Sequence, residues 1–181
     1  MSIYQQYKTK TRSALQKDLK KKNIHQAPSL DKVVVSVGIG SLATRKGVKD
    51  FSDIEKNLAA ITGQKPVTMK SKKAISNFKL RENMPVMLKV TLRREKAYEF
   101  LDKLTKVVMP RVRDFVGLSA KSFDPNNNYN IGLTSQAIFP EILGDDANAM
   151  MGVQVNIVTN ASTKEDAIAM MKALGFIFLE K

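Results

Sequence analysis

The glycine-containing run from Gly38 to Ala43 has a spacing that resembles a dinucleotide-binding motif. Its pattern, Gly-x-Gly-x-x-Ala, follows a predicted strand, as the motif requires. The motif also needs a helix that begins at the glycines and an acidic residue about 20 positions further on. Here residues 44–47 separate the run from the next helical pattern, and the next candidate strand, near residues 66–69, contains no acid. A dinucleotide-binding enzyme remains an alternative, while the simpler interpretation is that Gly38 and Gly40 leave room for another backbone.

Side chains that commonly act in catalysis or metal binding are scarce. The sequence has no cysteine, which excludes disulfides, thiolate metal ligands and a cysteine nucleophile. The single histidine, His25, is interpreted as a loop residue and not as part of a triad or metal site. Glu141, Asp145 and Asp146 lack the spacing of an EF-hand loop and are interpreted as solvated. We therefore predict no enzymatic activity, no cofactor and no metal.

The charge of the chain is strongly segregated. Its 181 residues carry a net charge of +13. Residues 1–121 contain 27 Lys and Arg against 10 Asp and Glu, whereas residues 122–181 contain 3 against 7. A basic excess confined to one part of a chain favours an anionic partner. We expect neither a membrane span nor a secretory signal, because no stretch of about 20 apolar residues occurs and the first residues lack an apolar core.

The most concentrated basic segment is Gly63 to Arg81, which we term the basic loop. Six cations and no acid occur in these 19 residues: Lys65, Lys70, Lys72, Lys73, Lys79 and Arg81. Clustered like charges repel one another unless phosphate groups lie nearby. Ser71 and Phe78 add hydrogen-bonding and stacking groups of the kind that contact RNA. We interpret the segment as an RNA-binding loop, mobile without its partner, with a solvated basic face or nonspecific binding to any polyanion as alternatives.

Hydrophobic periodicity predicts the helices that position these segments. Apolar residues at helical spacing predict helices at residues 3–22, 49–62 and 95–108. Gly63 is expected to end the second helix and Pro110 to stop the third. A Ser-x-x-Glu capping box that begins at Ser162 predicts one more helix, which Gly175 closes.

Alternation of apolar and polar residues predicts the strands. It occurs at residues 32–39, 86–92 and 153–159, whereas residues 111–142 break into short pieces. In the strand at 86–92 one face is apolar and the other is polar, and Arg93 extends the polar row. The elements predict a two-layer α+β fold with helices on one face of a largely antiparallel sheet. No linker divides the chain, so we predict a single domain over residues 1–181.

Six collinear runs make the sequence resemble the ribosomal large-subunit protein five family of bacterial-type ribosomes. They are LAAITGQKP at 58–66, FKLR at 78–81, KVTLR at 89–93, PRVRDF at 110–115, GLSAKSFD at 117–124 and IFPEI at 138–142. The resemblance covers about residues 25–178 and separates an N-terminal part at about 25–81, which includes the basic loop, from a C-terminal part at about 84–178. Ser36 stands where the family usually has Asn, and Val116 where it usually has Arg.

The resemblance implies a cytoplasmic protein of the large ribosomal subunit that binds 5S rRNA and large-subunit rRNA in the central protuberance. The family's sheet face binds 5S rRNA. The residues that this implies here are Ser36, Gly38, Gln64, Lys89, Thr91, Arg93, Arg111 and Arg113. The resemblance further implies contacts with neighbouring large-subunit proteins.

The resemblance also assigns the basic loop to the elbow of peptidyl-site tRNA. The residues that this implies are Lys70, Ser71, Lys72, Lys73, Phe78, Lys79 and Arg81. The acidic final third of the chain is expected to face a basic small-subunit protein across an intersubunit bridge. The sequence thus predicts a scaffold that positions RNA and makes or breaks no bond.

Overall fold

The computed structural model describes residues 3–45, 47–48, 50–113, 115–142 and 151–179. These residues form a five-stranded antiparallel sheet with the spatial order β2-β3-β1-β5-β4. The strands are β1 (Leu30–Gly38), β2 (Val67–Lys70), β3 (Pro85–Arg93), β4 (Tyr129–Leu133) and β5 (Val153–Thr159). The α+β prediction is confirmed. Strand β2 lies within the basic loop, and β4 lies in a region for which the sequence predicted only short pieces.

The described helices are short to medium in length. They are α1 (Ile3–Gln6), α2 (Arg12–Asp18), α3 (Gly40–Arg45), α4 (Ser52–Thr62), α5 (Arg94–Lys103) and α6 (Lys164–Ala173). A π-helical turn, Tyr7–Thr11, joins α1 to α2, and a second one, Leu104–Val108, continues α5. The predicted helix at 3–22 therefore ends earlier, at Asp18, and the predicted helix at 95–108 is present with a π-helical last part.

Contacts divide the chain into two compact units. Unit 1 comprises Met1–Val33, Leu92–Ile131 and Asn156–Lys181, and unit 2 comprises Val34–Thr91 and Gly132–Val155. The division into one domain with parts at about 25–81 and 84–178 stays a prediction.

Alternation along the strands separates a buried row from an accessible row. On β1 and the residue after it, the side chains of Val33, Val35, Val37 and Ile39 are fully buried. On β3 the same holds for Leu88 and Leu92, with Val90 almost fully buried. Successive side chains of a strand point to opposite faces, so the remaining residues of β1 and β3 form the second face of the sheet. Both apolar rows were predicted from the sequence, and they are confirmed.

Helix α4 of unit 2 packs through the stripe that the sequence predicted. Ile54, Leu58 and Ile61 are buried, and Gly63 ends the helix in the left-handed conformation, with φ of 65°. The helix begins at Ser52, three residues later than predicted. The Asp50 carboxylate accepts a hydrogen bond from the Ser52 backbone N–H at 2.9 Å, and this bond lowers the pKa of Asp50. The carboxylate thus satisfies one of the free N–H groups at the start of the helix.

In unit 1 the N-terminal helical segment packs on α5 through tyrosines. The ring of Tyr98 lies 5.4 Å from that of Tyr4 and 5.0 Å from that of Tyr7, measured between centroids. The Tyr7 hydroxyl donates to the Pro28 carbonyl, and the Leu30 N–H donates to the Tyr98 hydroxyl at 3.4 Å. Burial raises the pKa of Tyr98 to about 12 and also raises the pKa of Tyr7. Both hydroxyls therefore stay protonated at neutral pH.

These two pKa values predict a loss of stability in alkali. An unfolded tyrosine loses its proton near pH 10, whereas folded Tyr98 holds its proton to about pH 12. For Tyr98 the stabilisation is complete below pH 10 and is lost as the pH rises from 10 to 12, by up to roughly 1.4 kcal/mol per pH unit. Urea unfolding at pH 9, 10.5 and 11.5 should show a shallower decline for Tyr98→Phe than for the wild type. Equal slopes would show that Tyr98 titrates normally.

The N-cap of helix α6 in unit 1 lies one residue later than predicted. Thr163, not Ser162, is the N-cap, and its hydroxyl accepts from the Asp166 N–H at 3.2 Å. Thr163 takes this role because it has the extended backbone that an N-cap needs while the helix starts at Lys164. The buried Asp166 carboxylate forms an ion pair with Lys21 at 2.9 Å. Gly175, with φ of 93°, follows the helix as predicted.

Candidate nucleic-acid interface

The accessible face of the sheet in unit 2 is built by β1, β2 and β3. We term this surface the open face and define it by Val34, Ser36, Gly38, Val67, Met69, Met87, Lys89 and Thr91. The antiparallel register places Val67 opposite Lys89 and Met69 opposite Met87, so these side chains share one side of the sheet. The face carries a cation, two hydroxyls and an exposed glycine among apolar side chains. It offers phosphate contacts together with a surface on which bases or riboses can pack.

Five of the residues predicted to bind rRNA lie in unit 2, on this face or at its edge. Lys89 and Thr91 lie two residues apart on β3 and are half-buried. Gln64 is exposed, and its Nε2 lies 3.4 Å from the Thr91 carbonyl oxygen, so the fold brings it beside β3. Gly38 is exposed, with open space where a side chain would stand. Ser36 lies in the same row but is only 6% exposed, so its larger neighbours limit access to its hydroxyl.

The other three predicted rRNA residues belong to unit 1. Arg93 is exposed at the end of β3, and its guanidinium lies 3.4 Å from a carboxylate oxygen of Asp31. Arg111 ends the 3-10 turn Met109–Arg111, and Arg113 follows two residues later. Both are exposed. Each of the three side chains is accessible to solvent, and a phosphate bound at Arg93 would compete with Asp31.

The basic loop has more regular structure than the sequence predicted. Its strand β2 pairs with β3, and the Ser71 N–H donates to the Met84 carbonyl at 2.8 Å beyond the strand end. Further out, Ile75 and Leu80 form an antiparallel bridge around the 3-10 turn Ser76–Phe78. Strand β2 coincides with the candidate strand near residues 66–69, whereas no sequence pattern indicated the pairing further along the loop. The loop is therefore a hairpin extension of the sheet.

Cations line this hairpin and an aromatic ring lies near its tip. The side chains of Lys70, Lys72, Lys73, Lys79 and Arg81 are exposed, and none of these five forms an ion pair within the described residues. The ring of Phe78 is 72% exposed. Ser71 is partly buried, and its hydroxyl donates to the Lys73 carbonyl at 2.7 Å. Unpaired cations beside an exposed ring fit a polyanion with accessible bases.

Helix α3 contributes a cation that the sequence analysis missed. Arg45, at the end of α3, lines a groove of about 610 Å³ together with Phe78 and Lys79. The groove lies within unit 2. The six-residue helix gave no readable periodicity, so no sequence signal linked Arg45 to the hairpin tip. Arg45 enlarges the basic surface of the basic loop.

The glycine run does not form a dinucleotide site, although the predicted gap between the run and the next helix is not present. Helix α3 does begin at Gly40, directly after β1. The next strand, β2, nevertheless pairs antiparallel with β3, so the parallel βαβ unit of a dinucleotide fold is not formed. A Cβ on Gly40 would lie 3.4 Å from Val86 Cγ1 and 3.6 Å from the Val86 carbonyl oxygen. The backbone that approaches Gly40 is thus that of β3.

Other site classes find no support in the described part of the chain. Within it, no group of three or more His, Cys, Asp or Glu residues is placed to hold a metal ion. None of its helices is long and apolar enough to cross a membrane. Glu141 is exposed, whereas Asp145 and Asp146 lie outside the described residues. His25 lies in the short 3-10 turn Ile24–Gln26, and its Nδ1 is 3.4 Å from an Arg12 nitrogen.

Comparison with known proteins identifies the family. A family model described as Ribosomal protein L5 matches residues 23–81. A second model, which describes the C-terminus of the same ribosomal family, matches residues 85–178. The two matches are adjacent and together include the open face, the basic loop and helix α6.

Curated relatives agree over nearly the whole chain. The large ribosomal subunit protein uL5 of Thermosipho melanesiensis is 47% identical over 176 residues, 97% of this chain and 96% of the relative. The uL5c protein of Gracilaria tenuistipitata var. liui is 47% identical over 173 residues, 96% of each chain. The uL5 protein of Citrifermentans bemidjiense is 48% identical over 165 residues, 91% of each. The chain therefore belongs to the ribosomal protein L5 family, a family of structural, non-enzymatic constituents of the large ribosomal subunit.

Proposed function

We propose that this protein binds 5S rRNA and large-subunit rRNA in the central protuberance through the open face. The observation that carries the proposal is the row formed by Lys89 and Thr91 on β3, with Gln64 beside it. Lys89 forms no ion pair among the described residues. On the neighbouring strand β1, Gly38 is exposed. A flat surface with one cation and several small or polar groups suits recognition of RNA by its shape and backbone. Arg93, Arg111 and Arg113 add phosphate contacts.

The basic loop is proposed to contact the elbow of peptidyl-site tRNA. Five of its six exposed cations lie on a hairpin whose two sides are joined by backbone hydrogen bonds at Ser71 and Ile75. An anchored hairpin can present Lys70, Lys72, Lys73 and Phe78 to tRNA, which binds transiently. The open face would bind rRNA permanently. The two RNA ligands would then use different residues, with the tRNA contacts at Lys70 and beyond in the basic loop.

The acidic final third of the chain is proposed to face a basic small-subunit protein at an intersubunit bridge. Its described acidic side chains include the exposed Glu141 and Glu165. Opposite charges across an interface steer association and fix the orientation of the partners. Neighbouring large-subunit proteins are proposed as further partners.

A competition titration tests the main proposal. The protein is titrated against labelled 5S rRNA at several salt concentrations, in the presence of a size-matched unrelated RNA. If Lys89, Arg93, Arg111 and Arg113 each neutralise one phosphate, log K should fall with log salt with a slope of about −3. Raising the salt from 50 to 200 mM should then weaken binding roughly 60-fold. Equal affinity for the unrelated RNA would contradict the proposal and favour a nonspecific polyanion binder.

A further inference from the structure

A second concave surface lies in unit 1, and Arg93 is the one rRNA-binding candidate named above that lines it. It is a groove of about 420 Å³, which is within the range of roughly 300 to 1,000 Å³ found for ligand pockets. Three of the four tyrosines in the sequence line it. We term it the tyrosine groove and define it by Tyr4, Tyr7, Lys8, Arg12, Arg94 and Tyr98. Tyr7 and Tyr98 are almost fully buried, whereas Tyr4 is half-buried and offers its ring to a ligand.

The charge of the tyrosine groove is unbalanced. Four cations line it, and Asp31 is its one acidic lining residue. Asp31 is already engaged by Arg93 at 3.4 Å and by Lys32 at 3.7 Å. Lys8, Arg12 and Arg94 form no ion pair within the described residues. The groove therefore has positive charge available for an anion.

Arg12 supplies the most specific feature of the groove. Its Nε is buried and has no hydrogen-bond partner among the described residues. The other end of its guanidinium lies 3.4 Å from His25 Nδ1, so the side chain is held in place at one end. A buried N–H without an acceptor is unfavourable and therefore rare in native proteins. A guanidinium presents several donors in a plane that matches the oxygens of a phosphate.

Lys8 and Arg94 place two more cations at the groove. The Nζ atom of Lys8 lies 4.7 Å from the centroid of the Tyr4 ring, so a cation and an aromatic face are adjacent. Arg94 is exposed and has a φ of 52°, a conformation that a residue other than glycine adopts only where the surrounding structure imposes it. Side chains that can donate hydrogen bonds to a phosphate therefore lie next to the aromatic ring of Tyr4.

We propose that the tyrosine groove binds one unpaired nucleotide of an RNA strand, with its phosphate on Arg12, Lys8 and Arg94 and its base or ribose against Tyr4. Unpaired nucleotides are commonly bound by stacking on aromatic rings beside basic side chains. An acidic peptide would use the cations but would leave the Tyr4 ring without a partner. The inference rests on the proposed function, because it extends an RNA-binding surface to a second site.

The four tyrosines allow a direct test by NMR of protein labelled with ¹³C in the tyrosine rings. Tyr129 is buried and does not line the groove, so its signal serves as an internal reference. The probe is a single-stranded RNA pentanucleotide. We expect the Tyr4 signal to shift most, the Tyr7 and Tyr98 signals less, and the Tyr129 signal not at all. An unmoved Tyr4 signal overturns the inference, as does an equal shift caused by an abasic oligonucleotide or an acidic pentapeptide.

Variants separate the groove from general charge effects. Arg12→Gln and the double variant Lys8→Gln/Arg94→Gln should each weaken pentanucleotide binding about tenfold. The double variant changes only exposed side chains, so it keeps the test valid if Arg12→Gln fails to fold. The matched control Lys17→Gln/Lys20→Gln removes two exposed charges from the same region and should change affinity less than twofold. Equal losses in the double variant and the control overturn the inference.

The titration with 5S rRNA distinguishes failure of the proposed function from failure of the inference about the tyrosine groove. Failure of the wild type to prefer 5S rRNA over unrelated RNA contradicts the proposed function but does not affect the tyrosine signals. Selective binding of 5S rRNA with unchanged tyrosine signals contradicts the groove and leaves the proposed function standing.

Discussion

Replacing Lys89 by glutamate should weaken binding to 5S rRNA by about 100-fold, or roughly 2.7 kcal/mol. The side chain lies on the open face between Met87 and Thr91 and opposite Val67. A carboxylate there repels the phosphate that the ammonium group attracts, and the apolar neighbours offer no cation to compensate. The slope of log K against log salt should become shallower by about one, because one phosphate contact is lost. A filter-binding titration at three salt concentrations measures both quantities.

Two controls restrict the interpretation of the Lys89 variant. Lys89→Arg keeps the charge and should bind within about threefold of the wild type, since phosphate contacts tolerate either cation. Lys172→Glu makes the same change of net charge at an exposed position of α6 and should also stay within about threefold. Equal weakening by Lys172→Glu and Lys89→Glu would show that net charge, and not the open face, determines affinity.

Replacing Lys70, Lys72 and Lys73 together by alanine should weaken tRNA binding at the peptidyl site about 30-fold while changing 5S rRNA affinity less than threefold. Each lysine is exposed and lacks an ion pair within the described residues, so its loss removes phosphate attraction without breaking a contact of the fold. The backbone bonds from Ser71 to Met84 and from Asn83 to Ser71 do not depend on these side chains. The hairpin should therefore keep its conformation.

The measurement uses ribosomes that carry the variant, with tRNA binding and 5S rRNA titration performed in parallel. The matched control replaces Lys17, Lys20 and Lys22 by alanine, which removes three exposed charges outside the basic loop. The control should bind tRNA like the wild type. A similar loss of 5S rRNA and tRNA binding in the basic-loop variant would mean that the two ligands do not use separate surfaces.

The long alternating strands and their buried rows followed from the sequence because each of them is long enough to show a period of two. The predicted strand at 153–159 coincides with β5, and the predicted apolar rows of β1 and β3 are the buried ones. Strand β4 and helix α3 were missed, since five or six residues hardly establish a period. Helix starts were displaced by one to three residues because several neighbouring polar residues can act as caps.

The candidate site could be predicted only in part. Lys89 and Thr91 were recognisable because they alternate with buried residues of one strand. The approach of Gln64 to Thr91 depends on the turn after α4, and no local pattern encodes it. The tyrosine groove unites residues 4, 7, 12 and 98, so it exists only once the N-terminal segment packs on α5. Val67 and Met69 are exposed apolar residues of the basic loop. Their place on the open face could not be predicted, because the surrounding sequence is dominated by lysine.

The most direct test of the central claim is sedimentation of extracts from cells that express tagged wild-type protein or the tagged Lys89→Glu variant. The claim is that the open face holds this protein on 5S rRNA within the large subunit. The wild type should sediment with the large subunit and with 5S rRNA, whereas the variant should remain mostly at the top of the gradient, although its unfolding curve is unchanged. Equal recovery of both proteins in the large-subunit fractions would contradict the claim.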